Sequence, residues 1–150
     1  MSGLSIANSV FSKLIADVEL LDYLNLTPAS TMAQKAAKIQ KEIEPIGLST
    51  TNIPLVCIYP IPGLPNKINS IVYDGMFEVA IYSDNSSGVK SVYTKAGTMR
   101  IGERIRELLH QVQLGGATFL VQFYSEFQTN SNVSGIKKYV MRFKVSEEIG

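Results

Sequence analysis

The chain contains one histidine, His110, and one cysteine, Cys57. These are the side chains best suited to nucleophilic, redox or metal chemistry. A metal centre draws on several imidazole and thiolate ligands, and one of each does not complete a set. A Cys–His or Ser–His–Asp arrangement usually leaves a local signature, and no nucleophile-elbow motif is present. Cys57 lies inside the apolar run Pro54-Leu55-Val56-Cys57-Ile58-Tyr59. A small buried residue is expected there, not a reactive thiol. His110 stands beside Leu109 and near Glu107, and is read as a structural or surface residue. One cysteine excludes an intrachain disulfide and fits a reducing compartment.

The remaining polar groups repeat this pattern. The carboxylates are scattered from Asp17 and Glu19 to Glu147 and Glu148, and no spacing demands general acid–base work. Gly115-Gly116 follows a helical segment and has the place of a turn, without the pattern of a phosphate cradle. Asn25-Leu26-Thr27, Asn85-Ser86-Ser87 and Asn132-Val133-Ser134 match the glycosylation tripeptide, which is short and common by chance. No catalytic residue, cofactor or metal ligand is assigned, and the chain is expected not to be an enzyme. Phe119, Phe123, Tyr139 and Phe143, crossed by basic residues, form a pattern that can stack bases. Their alternation with polar neighbours points instead to a core packed under helices.

Composition sets the frame for these residues. A chain of 150 residues is expected to form one domain, 1–150, and to bury about 68–70% of its unfolded surface. Hydrophobic residues make up 45% and charged residues 18%, a globular balance that argues against wholesale disorder. The formal net charge of +1 lacks the basic excess of a general nucleic-acid binder. The apolar stretch from Leu4 to Leu21 is interrupted by Lys13, Asp17 and Glu19. It reads as neither a signal peptide nor a membrane span, so a cytoplasmic protein is expected.

Periodicity then supplies the elements. Residues 4–24 read as one amphipathic helix, with Ile6, Val10, Leu14, Val18 and Leu21 at helical steps. A second helix is expected from Met32 to Glu44, opened by a Thr31–Gln34 capping box and ended by Pro45 and Gly47. It is short of apolar bulk and is expected on the outside of the fold or against a neighbouring subunit. Residues 53–61 read as an edge strand. Pro60 to Lys67 holds three prolines in eight residues and reads as an ordered loop. Residues 71–83 form a strand with Phe77, Val79 and Ile81 on one face. The polar segment 84–92 leads into a helix from Thr94 to Gln113. Ile101, Ile105, Leu108 and Val112 form its stripe, and Glu103 and Arg106 are spaced to pair. Strand 117–127 places Phe119, Val121, Phe123 and Phe127 on one face. The polar loop 128–134 joins it to strand 136–146, where Tyr139, Met141, Phe143 and Val145 face inward and Lys138, Arg142 and Lys144 face away. The last two strands form an antiparallel hairpin. The fold class is α/β (α+β): a mixed, mostly antiparallel sheet of about four strands, with helices packed on one face.

This order of elements resembles the tail terminator, or tail completion, proteins of long-tailed bacteriophages. The matching pieces are the amino-terminal helix from Phe11 and Leu14 through Leu21, and the proline-led strand Ile53-Pro54-Leu55-Val56. They continue with Phe77 to Ser83, the helix Ala96 to Leu109 with Ile101, Arg104, Ile105, Leu108 and Leu109 in register, and the closing segment Gly135 to Phe143. Segment 25–50 departs from shorter members. The resemblance implies a homo-hexameric ring that caps the tail tube, stops its polymerisation and offers a surface for head joining. Its implied partners are itself, the tail tube protein and head–tail connector or neck proteins. It implies no membrane and no specific nucleic acid, although DNA passes through such a ring, and a virion location after assembly in the host cytoplasm. Polar segments 84–92 and 128–134 are the expected reaching elements. The alternatives are another neck or head–tail connector or adaptor protein, a single-stranded nucleic-acid module, and a small enzyme or accessory subunit.

Overall fold

The computed structural model describes residues 3–65, 72–84, 97–113 and 119–148. Four helices, α1 (Gly3–Ile15), α2 (Val18–Tyr23), α3 (Met32–Lys38) and α4 (Thr98–Leu109), accompany six strands. The strands are β1 (Ile39–Gln40), β2 (Leu55–Pro65), β3 (Val72–Asp84), β4 (Val112–Gln113), β5 (Phe119–Asn130) and β6 (Ile136–Glu148). They form one sheet in the order β1-β2-β3-β6-β5-β4. The four long strands were expected; the two-residue strands β1 and β4 raise the count to six. Among the described residues only the β1–β2 pairing is parallel, so the sheet is mixed and mostly antiparallel. The β5–β6 hairpin forms as expected. Strand β6 returns between β3 and β5, which therefore run in the same direction.

The two faces of the sheet differ. The inner face gathers Val56, Ile58, Phe77, Val79, Ile81, Val121, Tyr139, Met141, Phe143 and Val145 beneath α1, α2 and α4. Phe77 stacks on Phe143 at 5.2 Å, and Phe123 meets Phe143 edge-on at 5.7 Å. Such pairs stabilise beyond their buried area. Gly102 lets α4 come close: a Cβ there would lie 3.0 Å from the Tyr139 ring. The outer face carries a smaller cluster of Leu55, Cys57, Ala80, Tyr82 and Val140, joined by Ile53, Leu48 and Val133 from the flanking loops.

Several boundaries differ from the sequence reading. The helix expected over 4–24 is broken at Asp17. Its carboxylate accepts from Leu20 N at 2.8 Å and starts α2 afresh. The break turns Leu20, Leu21 and Leu24 into the core and leaves Val18 exposed. The Thr31–Gln34 capping box is present, but α3 ends at Lys38 because Ile39 and Gln40 pair with Val56 and Cys57. No α3 residue is buried, as its composition suggested, and Ile43 lies in a loop. The proline-rich stretch is ladder, not loop, as far as Pro65. A bulge between Ile61 and Leu64 takes up Pro62, and beyond Cys57 the far edge of β2 has no ladder partner among the described residues. An edge tolerates the missing N–H of proline.

Helix α4 stops at Leu109, not Gln113, and the chain turns through Gln111 at φ 57° into β4. Gly115-Gly116, residues 94–96 and segment 85–92 lie outside the described residues. Strand β5 runs on to Asn130, so most of the expected loop 128–134 shrinks to a tight hairpin at 131–135. Ser131 Oγ donates to Ile136 O at 2.7 Å, Val133 N donates to Ser131 Oγ at 3.1 Å, and Gly135 takes φ +84°.

Candidate functional site

The residues singled out for chemistry are dispersed, and each has a structural task. Cys57 is fully buried on the outer face. Burial, with Glu42 and Glu44 adding to it and Lys138 opposing, pushes its thiol up to about 12, far from a thiolate at neutral pH. His110 caps the end of α4 and accepts from Phe123 N at 3.0 Å through Nδ1. Its ring occupies a backbone group of β5 and ties the helix end to the sheet. No cluster of three or more metal-ligating side chains exists among the described residues. Among the described residues no helix is long and apolar enough to cross a membrane. Of the aromatic face proposed for base stacking, Phe143 is fully buried, Tyr139 nearly so, and Phe123 packs partly buried against the same core, while the Phe119 side chain lies outside what the structure describes. Core packing accounts for it.

The strongest electrostatic centre is Arg104 on α4, which the sequence reading named only for its register in the helix. Its Nε and Nη2 hold Asp17 at 2.9 and 2.6 Å, a bidentate grip. Glu19 Oε2 is 2.9 Å from Nε, and Glu107 Oε2 is 2.8 Å from Nη1. The guanidinium holds the Asp17 carboxyl below its usual value, while Asp17 in turn raises Arg104. This network locks α2 to α4 across 87 residues of sequence, a separation no local motif announces. The pairing expected between Glu103 and Arg106 is absent. Glu103 meets Arg100 at 3.7 Å, and Arg106 lies over the Phe123 ring at 4.1 Å. Beside them a cavity of 260 Å³ is bordered by Met99, Arg106, Glu126 and Tyr139. Tyr139 OH donates to Glu126, so the polar groups of that cavity are engaged with each other.

Among the described residues, exposed apolar side chains include Val18 on α2, Met99 on α4 and groups at the two ends of the sheet. At the β5 end, a bulge between Phe123 and Ser125 shifts the strand by one residue. Glu126 moves to the inner face opposite Met141, and Phe127 moves to the outer face opposite Val140. The expectation that Phe127 shares a face with Val121 and Phe123 is therefore overturned; a bulge breaks the two-residue period. Tyr124 and Phe127 are 57% and 48% exposed, and Lys144 stands over the Tyr124 ring. Beyond Phe123, β5 has a ladder partner on one side only among the described residues.

At the β1 end, loop 41–52 folds back beside α3. Gln40 clamps it: Nε2 donates to Ala37 O and Ile46 O at 2.9 and 3.0 Å, and Oε1 accepts from Ile46 N at 2.8 Å. Asn52 Nδ2 donates to Gly47 O at 2.9 Å. The clamp holds Ile46 outward, 69% exposed, beside a shallow 330 Å³ depression that Ala36, Ala37 and Lys41 also line. Glu42 lines the same depression. Exposed apolar groups held in fixed positions are a signature of contact with other proteins, not of chemistry on a small molecule.

The whole fold is similar to that of a chain in the virion of a native gene transfer agent particle. The match has a TM-score of 0.59 and 12% identity, covering 96% of this chain and 95% of that one. At this identity the likeness is one of fold. No family model and no curated protein matches the sequence.

Proposed function

We propose that the chain is a structural virion protein of a phage or phage-like particle, and within it the tail terminator. In this role it forms a hexameric ring that caps the finished tail tube, stops tube growth and gives the head a surface to join. The observation that carries the reading is the likeness of fold to a chain of a gene transfer agent virion, along nearly the whole of both chains. The resemblance of the element order to tail completion proteins supports the finer role.

The physics of such a part is steric. A ring closes when one patch on each subunit meets a different patch on the next, with a rotation that returns to the start. This chain offers open sheet edges at both ends, on β2 beyond Cys57 and on β5 beyond Phe123, among the described residues. A ring whose one face matches the tube end and whose other face does not halts addition of tube subunits without any covalent step. His110 and Cys57 keep their packing roles, and the protein turns over no substrate.

The test is negative-stain imaging of growing tail tubes with and without the purified protein. A six-membered ring seated on one tube end, with tube length frozen from that moment, is the expected result. Rings found at another position in the neck would assign the chain to a connector instead. A protein that remains solitary in every particle would overturn the reading.

A further inference from the structure

The two open edges of the sheet are not equal, and the strand register shows why. Antiparallel strands turn the backbone N–H and C=O of alternate residues to alternate sides. Val121 O accepts from Gln111 N at 2.8 Å, and Phe123 N donates to His110 Nδ1 at 3.0 Å, so both residues turn their backbone groups away from β6. The bulge between Phe123 and Ser125 then shifts the alternation by one residue. At the hairpin end Ser131 N donates to Ile136 O at 3.1 Å, which makes Thr129–Lys138 and Phe127–Val140 the bonded pairs. Glu126, Gln128 and Asn130 therefore turn N–H and C=O outward, and no strand pairs with them there among the described residues.

The same alternation runs on across the sheet. Val140 faces β5, so Tyr139 bonds with Ile81, and on the next pair of strands Ala80 bonds with Cys57. Ile58 and Pro60 are left pointing to the free side of β2. Proline has no N–H to give, so that edge is blunted before its bulge is reached. Residues 124–130 of β5 contain neither proline nor lysine, the residues that most often protect an edge.

Charge is arranged along this edge as well. Glu126, Gln128 and Asn130 share the inner face, and Lys137 lies across from Asn130. Lys137 Nζ donates to Asn130 Oδ1 and has no carboxylate partner among the described residues. Glu126 Oε2 accepts from Tyr139 OH, and Glu126 has no ion-pair partner among the described residues. Arg106, the cation that borders the same cavity, lies over the Phe123 ring, and Lys138 stands over Tyr82. An acidic group and a basic group thus flank Gln128 on one edge. Such an edge is complementary to itself when inverted.

We propose that the occupant of the β5 edge is the β5 strand of a second copy, running antiparallel about a two-fold axis at Gln128. Gln128 meets its own counterpart, and Glu126 meets Asn130 in both halves. Each of these pairs exchanges two backbone hydrogen bonds. Glu126 of each copy comes beside the Lys137 amino group of the other, which is held at Asn130. Like charges stay about 13 Å apart at a rise of about 3.4 Å per residue. On the outer face Phe127 lies against Thr129 of the other copy, a cross-strand pair that covers part of the exposed ring. A backbone ladder admits only extended polypeptide, and the meeting of unlike charges in this register selects the chain's own edge. The contact goes beyond the ring reading: a two-fold interface closes at two copies and does not itself generate a ring.

Sedimentation velocity of the full chain over a range of concentrations, without tail tubes, reads the contact. The parent should form dimers. Gln128→Pro removes an outward N–H and no ladder bond, so it should abolish dimers and leave the thermal unfolding midpoint near the parent's. Lys137→Glu should raise the dimer dissociation constant about tenfold, and Glu126→Lys added to it should bring the value back towards the parent's. If Gln128→Pro lowers the midpoint, this charge-swap pair decides. Register is read by oxidation. Gln128→Cys lies on the axis and should give a covalent dimer, whereas Gln122→Cys, exposed farther along β5, should not; Cys57 is buried.

Dimers that survive both Gln128→Pro and Lys137→Glu, with equal cross-linking at 122 and 128, would overturn the edge contact. A parent that stays monomeric at every concentration, with no cross-link through Gln128→Cys, would overturn it too. Neither result touches the ring reading, which stands or falls on the imaging of tube ends.

Discussion

The two faces of the sheet are built from the same four long strands and behave differently. The inner face is closed under three helices and is mainly apolar from Val56 to Val145, with Glu126 at its β5 margin. The outer face is half covered. Its centre holds Cys57, Ala80, Tyr82 and Val140, but also the ion pair of Glu78 and Arg142 at 2.7 Å. Towards β5 it opens to water at Tyr124 and Phe127. A face covered by its own chain is committed to stability. A face left open, with its apolar groups held rigid, is available for another molecule. The division of labour is set by which strand neighbours have helices above them, since both faces contain aromatic side chains.

The largest effect that tests this contrast is Phe143→Ala. Loss of a fully buried ring stacked on Phe77 should destabilise the fold by about 3–5 kcal/mol in denaturant titration. A loss under about 1 kcal/mol would mean that the inner face is not the core. Next is Arg142→Ala on the outer face, which strips the charged partner from a Glu78 carboxylate whose side chain is only 11% exposed and leaves it the Tyr59 hydroxyl. A loss of about 1.5–3 kcal/mol is expected, and adding Glu78→Gln should recover part of it. No recovery would show that Arg142 acts through packing and not through the carboxylate.

Asp17→Asn is smaller, about 1 kcal/mol at neutral pH, because asparagine still caps α2 while the grip on Arg104 is lost. Its pH dependence carries the sign. The Asp17 carboxyl titrates below its ordinary 3.8 in the fold, mainly through its bond to Arg104. Between that ordinary value and the lowered one, the unfolded chain binds more protons, so stability falls as pH falls through the window. Denaturation midpoints of parent and variant should therefore differ at pH 7 and converge in acid below 3.8. A gap that stays constant with pH would remove the ion pair from the account. The smallest effect on stability belongs to Phe127→Ala, within about 0.5 kcal/mol. A large loss there would erase the distinction between the two faces.

Much of this architecture was legible along the chain. The two-residue periods of β3 and β6 located Phe77, Val79, Ile81, Tyr139, Met141, Phe143 and Val145 correctly on one buried face. The capping box at Thr31 was readable because both of its bonds are made within one turn. What escaped was non-local. The length of α3 was decided by the pairing of Ile39 with Val56, and the grip of Arg104 on the Asp17 carboxylate, which already caps α2 locally, comes from far along the chain. Prolines that read as a loop were accepted as ladder because the edge of β2 lies open. The bulge in β5 moved Phe127 to the other face, and a periodicity argument that assumes an unbroken strand has no signal for it.

By itself, then, the amino-acid order determined the alternating faces of β3 and β6, the inward places of Ile101 and Ile105 on α4 and the scarcity of groups able to do chemistry, since these depend on side-chain type and local backbone period. Only the tertiary structure decided that Arg104 would gather three carboxylates, that Gln40 would clamp a loop beside α3, and that Tyr124 and Phe127 would stand in water. Those outcomes depend on which distant segments meet, and the free energy of a meeting belongs to both partners at once. No single stretch of chain contains it.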